Sequence, residues 1–238
     1  HAEALRSDAV NEAALRQRVT SGSTGVPVRL VADRASMQWK RGVALWRDEW
    51  TGWRLGEPRA TMYGDPQPGV APRWKERAWK AVFHPTVDID TLRMTPESLD
   101  RFARGLVRAR ATLLFGHAHS LYRFAQFWRD TDRRGHALVG AISTAMVLHP
   151  YERTAIESAL GIPVFDRYGC EETSLIASEC EAHAGLHVNT DSLVAEIVPD
   201  VPDSTEGKVL LTDLTNRAMP LIRYEVGDRA RPAAAVCP

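Results

Sequence analysis

The sequence predicts an α/β fold, a mostly parallel sheet flanked by helices with a more β-rich C-terminal part. Between residues 95 and 166, helix signals alternate with short apolar runs, the order that places parallel strands beneath covering helices. From Gly185 onward the helix signals stop, and short alternating segments take over between turn residues. The totals agree: 44% hydrophobic and 25% charged residues in a chain of 238 provide for a sizeable buried core.

Taken in order, Leu5 to Val19 reads as one helix and Pro27 to Ala32 as a strand. Asp33 then stands where a carboxylate caps a helix reaching about Trp50, with Met37, Trp39, Val43, Ala44 and Leu45 at helical spacing. Trp39, Trp46, Trp50 and Trp53 are expected in the core and at packed interfaces, because tryptophan is usually well buried. Proline and glycine between Glu57 and Thr86 predict loops. The run Arg73 to Lys80 within them interleaves basic and aromatic residues, but thirty basic residues against thirty acidic ones leave no global field for nucleic acid or an anionic membrane. Thr95-Pro96 starts a helix that continues to about Ala109. A strand at Ala111 to Phe115, a helix at Ser120 to Asp130 and a strand at Leu138 to Ile142 come next. Pro150 to Leu160 is a helix closed by Gly161, and Ile162 to Asp166 a further strand. The last strands fall at His187 to Asn189, Leu193 to Val198, Lys208 to Leu211 and Leu221 to Tyr224. Repeats, low-complexity segments and a clear domain boundary are not seen.

No apolar stretch approaches the roughly 18 residues that span a bilayer. Three cysteines, at 170, 180 and 237, argue against a disulfide framework and for a reducing, cytoplasmic setting. The N-terminus, His-Ala-Glu-Ala-Leu, is neither a signal peptide nor a start methionine, so the sequence reads as part of a longer chain.

The stretch most suggestive of chemistry is Thr20-Ser21-Gly22-Ser23-Thr24-Gly25-Val26-Pro27. Its glycines permit positive φ and close approach, and its hydroxyls and free amides form a nest for an oligophosphate. It is not a Walker loop, which requires a lysine that is missing here. Farther on, Cys180, His183, His187 and Cys237 supply thiols and imidazoles of the kind a zinc ion takes.

The loop resembles the first core motif of the adenylate-forming enzymes, T-S-G-[ST]-T-G-x-P, and its flanks are similar to the phenylacetate-CoA ligase branch with its CapK-type relatives. Tyr168-Gly169-Cys170-Glu171-Glu172 resembles that family's Y-G-x-x-E motif, and Arg223-Tyr224-Glu225-Val226-Gly227-Asp228 its R-Y-x-x-G-D motif. Ser143-Thr144-Ala145 stands where the family has an adenine-lining G-A-E segment. Thr112 to Leu121, with Gly116, His117 and Ser120, is similar to the segment near the acyl site, which would turn His117 toward the substrate carboxylate.

The resemblance implies an acid-thiol ligase. ATP would activate a small-molecule carboxylic acid, suggested to be aromatic, to an acyl-adenylate that coenzyme A then takes up. Thr20, Ser21, Ser23, Thr24 and Glu172 would carry catalysis, and Gly22, Gly25, Ser143, Thr144, Ala145, Tyr168, Gly169 and Asp228 would bind the nucleotide. Tyr168 would pack on adenine, Asp228 would hold the ribose hydroxyls, and Glu172 would hold Mg²⁺ against the phosphates. With Val26 where many relatives have lysine, charge neutralisation would fall to Mg²⁺ or another cation. Residues 1–238 would form part of the AMP-binding large domain, without its start and without the lysine-bearing small domain. The family's C-P-C-G-R run would add a further thiol to Cys180, His187 and Cys237, completing a closed zinc site with His183 in reserve. The alternatives are a catalytically incomplete nucleotide-binding module and an adenylating enzyme that does not use coenzyme A.

Overall fold

A computed structural model describes residues 5–7, 10, 15–19, 29–64, 86–234 and 237. The chain divides into two compact units, the first combining His1–Trp46 with Tyr168–Pro238 and the second being Arg47–Arg167.

The described chain begins with β1 (Leu15–Val19) and β2 (Arg29–Asp33), paired antiparallel from Leu15↔Asp33 to Val19↔Arg29. The helix expected over Leu5 to Val19 is therefore corrected: Leu15–Val19 satisfies its backbone groups across a ladder with β2. Helix α1 (Arg34–Asp48) follows, its first turn capped by the Asp33 carboxylate, which accepts from the Ser36 amide at 2.8 Å. It gives way to a 3₁₀ turn, Glu49–Thr51. Trp53 is buried as expected, but Trp39 and Trp46 are about half exposed, at 53% and 50%, and so correct the expectation that all four tryptophans serve packing.

Within Arg47–Arg167, β3 (Arg59–Tyr63) forms where loops were expected, and β4 (Thr86–Asp90) forms past the end of that stretch, where no element was assigned. Helix α2 (Pro96–Ala109) starts with a capping box between Thr95 and Ser98 and has proline at its first position. β5 (Leu113–His117) leads into α3 (Ala118–Asp130), and β6 (Gly140–Thr144) is followed by α4 (Pro150–Leu160). Gly161, at φ 64°, ends α4 in the left-handed region that glycine adopts without strain. β7 (Val164–Cys170) closes the series. The order β4-β3-β5-β6-β7 is parallel throughout. β6 is buried at every position, as a strand covered on both faces requires. Leu99, Phe102, Leu106, Leu121, Phe124, Trp128 and Ile156 lie in one apolar core with the strand residues Ala60, Met62, Leu114 and Val164.

The rest of the first unit is antiparallel. β8 (Ser174–Glu179), a strand that the acidic pair before it conceals, pairs with β9 (Leu186–Val188). β10 (Leu193–Pro199), β11 (Gly207–Asp213) and β12 (Tyr224–Ala230) make a three-stranded sheet. The strand expected from Leu221 begins instead at Tyr224. Ile222 is 73% exposed and Arg223 has φ 50°, so the chain turns before it pairs. Among the described residues, no helix is long and apolar enough to cross a membrane.

Candidate functional site

In the first unit, β7 extends through Cys170, so the Tyr168-Gly169 pair lies within the strand end instead of following it. A Cβ on Gly169 would stand 2.8 Å from the Ser174 carbonyl oxygen, and the backbone approach there requires glycine. The Tyr168 hydroxyl donates to Asp228 Oδ2 at 2.7 Å, and the Tyr224 hydroxyl donates to Glu172 Oε1 at 3.1 Å. Residues 168, 172, 224 and 228, from two motifs far apart in sequence, are thus joined in two hydrogen-bonded pairs. Burial, reinforced by the Asp228 carboxylate, pushes the Tyr168 phenol well above its usual range. Burial and then Glu172 push Tyr224 up to about 12, and burial raises the Cys170 thiol. Both phenols therefore remain hydrogen-bond donors at neutral pH. Glu172 also lines a cavity of about 350 Å³ with Lys40, Arg41, Ser174 and Asn216. Lys40 there is paired with the buried Asp213 at 2.5 Å.

The second unit carries the Ser143-Thr144-Ala145 segment at the end of β6. Ser143 is fully buried, and its hydroxyl has no hydrogen-bond partner among the described residues. Ala145 has φ 61°, a region that costs a non-glycine residue free energy. An orphaned buried hydroxyl beside a strained residue is a place where an incoming polar group would be satisfied. His117 ends β5 in register with Thr144. Its ring centroid is 4.2 Å from that of Tyr63, which stacks on Phe115 at 5.9 Å. Burial lowers the His117 pKa, so the ring is neutral at pH 7. Ser120 is buried in the first turn of α3.

Sequence reading missed Tyr224 and Tyr63 as members of these sites. Tyr224 sits inside the R-Y-x-x-G-D motif, and that position could have flagged it. Tyr63 lies in a stretch dominated by loop signals.

A third group belongs to the first unit. Cys180 follows β8, His187 is the middle residue of β9, and Cys237 arrives from the far side of β12. Cys180 Sγ lies 3.5 Å from Cys237 Sγ and 3.2 Å from His187 Nε2, and the three ligand atoms fall within 4.8 Å of one another. The neighbouring Cys180 thiol raises the Cys237 pKa. His183 points its Nδ1 at Glu179 Oε2, 3.1 Å away, and is not part of the cluster.

No protein-family profile matches the chain. It is 38% identical over 87 residues to the phenylacetate-coenzyme A ligase of Aromatoleum evansii, a match covering 33% of this chain and 20% of the relative. The phenylacetate-coenzyme A ligase of Thermus thermophilus is 34% identical over 84 residues, covering 32% and 19%. The match therefore spans about a fifth of the length of these curated relatives. Among solved structures, an open conformation of 2-hydroxyisobutyryl-CoA ligase in complex with 2-HIB-AMP and CoA superposes with a TM-score of 0.70 at 19% identity. That match covers 93% of this chain and 50% of the other. The fold is that of the acyl-CoA ligases.

In this acyl-CoA ligase fold the parallel strands run to Tyr63, His117 and Thr144 at their carboxyl ends, where open α/β sheets bind ligands. The phosphate-loop residues Thr20, Ser21, Gly22, Ser23, Thr24 and Gly25 lie outside the described residues, as does the run Arg73 to Lys80. The loop's two flanks are described: Val19 and Arg29 face each other across the β1–β2 ladder.

Proposed function

We propose that this chain is the nucleotide- and acid-binding part of a ligase that uses ATP to activate a carboxylic acid and passes the acyl group to coenzyme A. The observation that carries the reading is the pairing of Tyr168 with Asp228 and of Tyr224 with Glu172 in a chain with this fold. An aromatic face next to a carboxylate suits adenosine: the ring stacks the base, and the carboxylate accepts from ribose hydroxyls. Asp228 has lone pairs beyond the one Tyr168 occupies, and the Tyr168 hydroxyl holds its side chain in place.

Glu172 offers the hard oxygen that Mg²⁺ takes together with phosphate oxygens, and the Tyr224 hydroxyl, bonded to Oε1, fixes its direction. Bound there, Mg²⁺ would supply the positive charge that the loop Thr20 to Gly25 lacks. The loop's amides and its Thr20, Ser21, Ser23 and Thr24 hydroxyls would hold the phosphates that leave. In the second unit, the Ser143 hydroxyl, without a partner among the described residues, and the strained Ala145 backbone offer groups to a polar ring edge. Neutral His117 can donate its ring N–H to a carboxylate without trapping it in a salt bridge. An aromatic acid is favoured by the phenylacetate ligase relatives, and the Tyr63 and Phe115 faces suit a planar one.

The reaction is two displacements. A carboxylate oxygen attacks the α-phosphorus and pyrophosphate leaves. The thiol of coenzyme A then attacks the acyl carbon, loses its proton, and AMP leaves. Positioning and charge stabilisation supply the rate, with no protein nucleophile. The three free thiols fit the reducing cytoplasm.

Calorimetric titration with Mg-ATP is the test. Tyr168→Ala and Asp228→Ala, each folded by circular dichroism, should weaken binding about tenfold or more, the loss of one charge-assisted contact or one base stack. Glu172→Gln should weaken Mg-ATP while leaving AMP binding within about twofold. Parent-like Mg-ATP affinity in both adenosine-side variants would end the assignment.

A further inference from the structure

We propose that Cys180, His187 and Cys237 bind one zinc ion at a structural centre. The local fold builds the donor set. β8 and β9 pair with Ser178 opposite His187, so Cys180, one residue past the end of β8, comes beside the imidazole two strand positions on. Cys237 is brought to the same point from 57 positions away.

The spacing suits an ion and not a bond. The two sulfurs are 3.5 Å apart, whereas a disulfide needs about 2.05 Å. Zn–S bonds of about 2.3 Å and Zn–N bonds of about 2.0 Å give tetrahedral edges of roughly 3.5 to 3.8 Å, and the observed separations of 3.5 and 3.2 Å need only a few tenths of an ångström of opening. Two thiols and an imidazole are ligands that zinc takes and that magnesium and calcium do not. His183 is engaged by Glu179, so water or another donor would complete the tetrahedron. The ion would close the segment between Cys180 and Cys237, which holds β9 to β12 and with them Asp228. Its role would be to fix that segment, and it stands outside the acyl-transfer chemistry.

Metal content of the chain, purified under reducing conditions without added metal, tests this. Elemental analysis should find about one zinc per chain, and Co²⁺ substitution should give thiolate-to-cobalt charge-transfer absorption with the ligand-field bands of a tetrahedral site. Cys180→Ser and Cys237→Ser should each weaken zinc at least about 100-fold in chelator competition, the upper range for losing even an outer partner. His183→Ala should change it less than about threefold. Should Cys180→Ser fail to fold, Cys237→His provides the second route: zinc is retained while the cobalt charge-transfer band shrinks. Absence of zinc from the reduced, folded chain, a mass lower by two hydrogens marking a Cys180–Cys237 disulfide, or parent-like affinity in both serine variants would each overturn the proposal.

Discussion

Arg47–Arg167 and the remainder of the chain differ in the size of the apolar cluster they bury. Among the described residues, nineteen buried apolar side chains make one continuous core in Arg47–Arg167, whereas the antiparallel part of the other unit gathers five, Ile176, Ala177, Leu193, Val209 and Leu211. This unit also carries a directed polar network, as Arg47–Arg167 does around the buried Asp48 held by Arg59 and Arg167. Lys40 pairs with Asp213, the Asp213 Oδ1 accepts from the amides of Thr215 and Asn216, Asp33 Oδ2 accepts from the Arg217 amide, and Asn216 Nδ2 donates to the Val31 carbonyl. Apolar burial is non-directional and tolerates small changes of shape, while a buried charge is stable only with its partner in place. The motif residues Tyr168, Glu172 and Asp228 belong to the unit with the smaller apolar cluster.

The largest expected effect breaks that network. Lys40→Met leaves the Asp213 carboxylate buried without its cation and should cost about 3–5 kcal/mol by chemical denaturation. The double variant Lys40→Met/Asp213→Asn should recover more than half of that loss, and failure to recover would show the pair is not what the site depends on. Metal removal comes next. If zinc ties Cys180 to Cys237, the chain-entropy model gives about 4 kcal/mol as an upper bound for a loop of this length, read as a chelator-induced fall in the denaturation midpoint that Cys180→Ser does not show. Trimming the other unit should do much less: Ile156→Val, at a fully buried position, should cost about 0.5–1.5 kcal/mol. Thr95→Ala, which removes a cap whose hydroxyl accepts from Ser98, should cost about 1 kcal/mol.

The smallest effect is a pH dependence. Burial lowers the His117 pKa, so the unfolded chain binds a proton that the folded one releases. The folded state is favoured fully above the unfolded pKa of about 6.5 and progressively less as pH falls through it. Denaturation midpoints for the parent and His117→Asn, measured between about pH 8 and pH 5, should diverge only in the acidic part of that range.

Much of the parallel unit could be read directly from the sequence because its signals are local. Thr95-Pro96 with Ser98, and Pro150 with Gly161, mark helix ends that need no tertiary partner. The strand at Leu15–Val19 was hidden because only its pairing with β2 decides against a helix. Arg59–Tyr63 and Thr86–Asp90 take their strand state from neighbours on a sheet, and the prolines and glycines around them mask it. Tyr168–Asp228 unites residues given separate roles from the sequence, and Tyr224–Glu172 joins the metal candidate to a tyrosine given none, because hydrogen bonds across 60 and 52 positions leave no periodic trace. The Cys180, His187 and Cys237 set was legible as residue types, but its convergence depends on the β8–β9 register. Trp39 and Trp46 show the limit of composition: tryptophan favours burial on average, yet α1 carries both on its exposed side.

The β1–β2 ladder has a consequence for change in this chain over time. Val19 and Arg29 are the last facing pair, so lengthening or shortening residues 20–28 leaves every rung below untouched. One residue added at the start of β2 would instead turn Leu30 and Ala32, both buried, to the opposite face. The ladder itself thus tolerates variation in the span and forbids it in the abutments, while the phosphate contacts proposed for Thr20 to Gly25 confine that freedom to the positions beyond them.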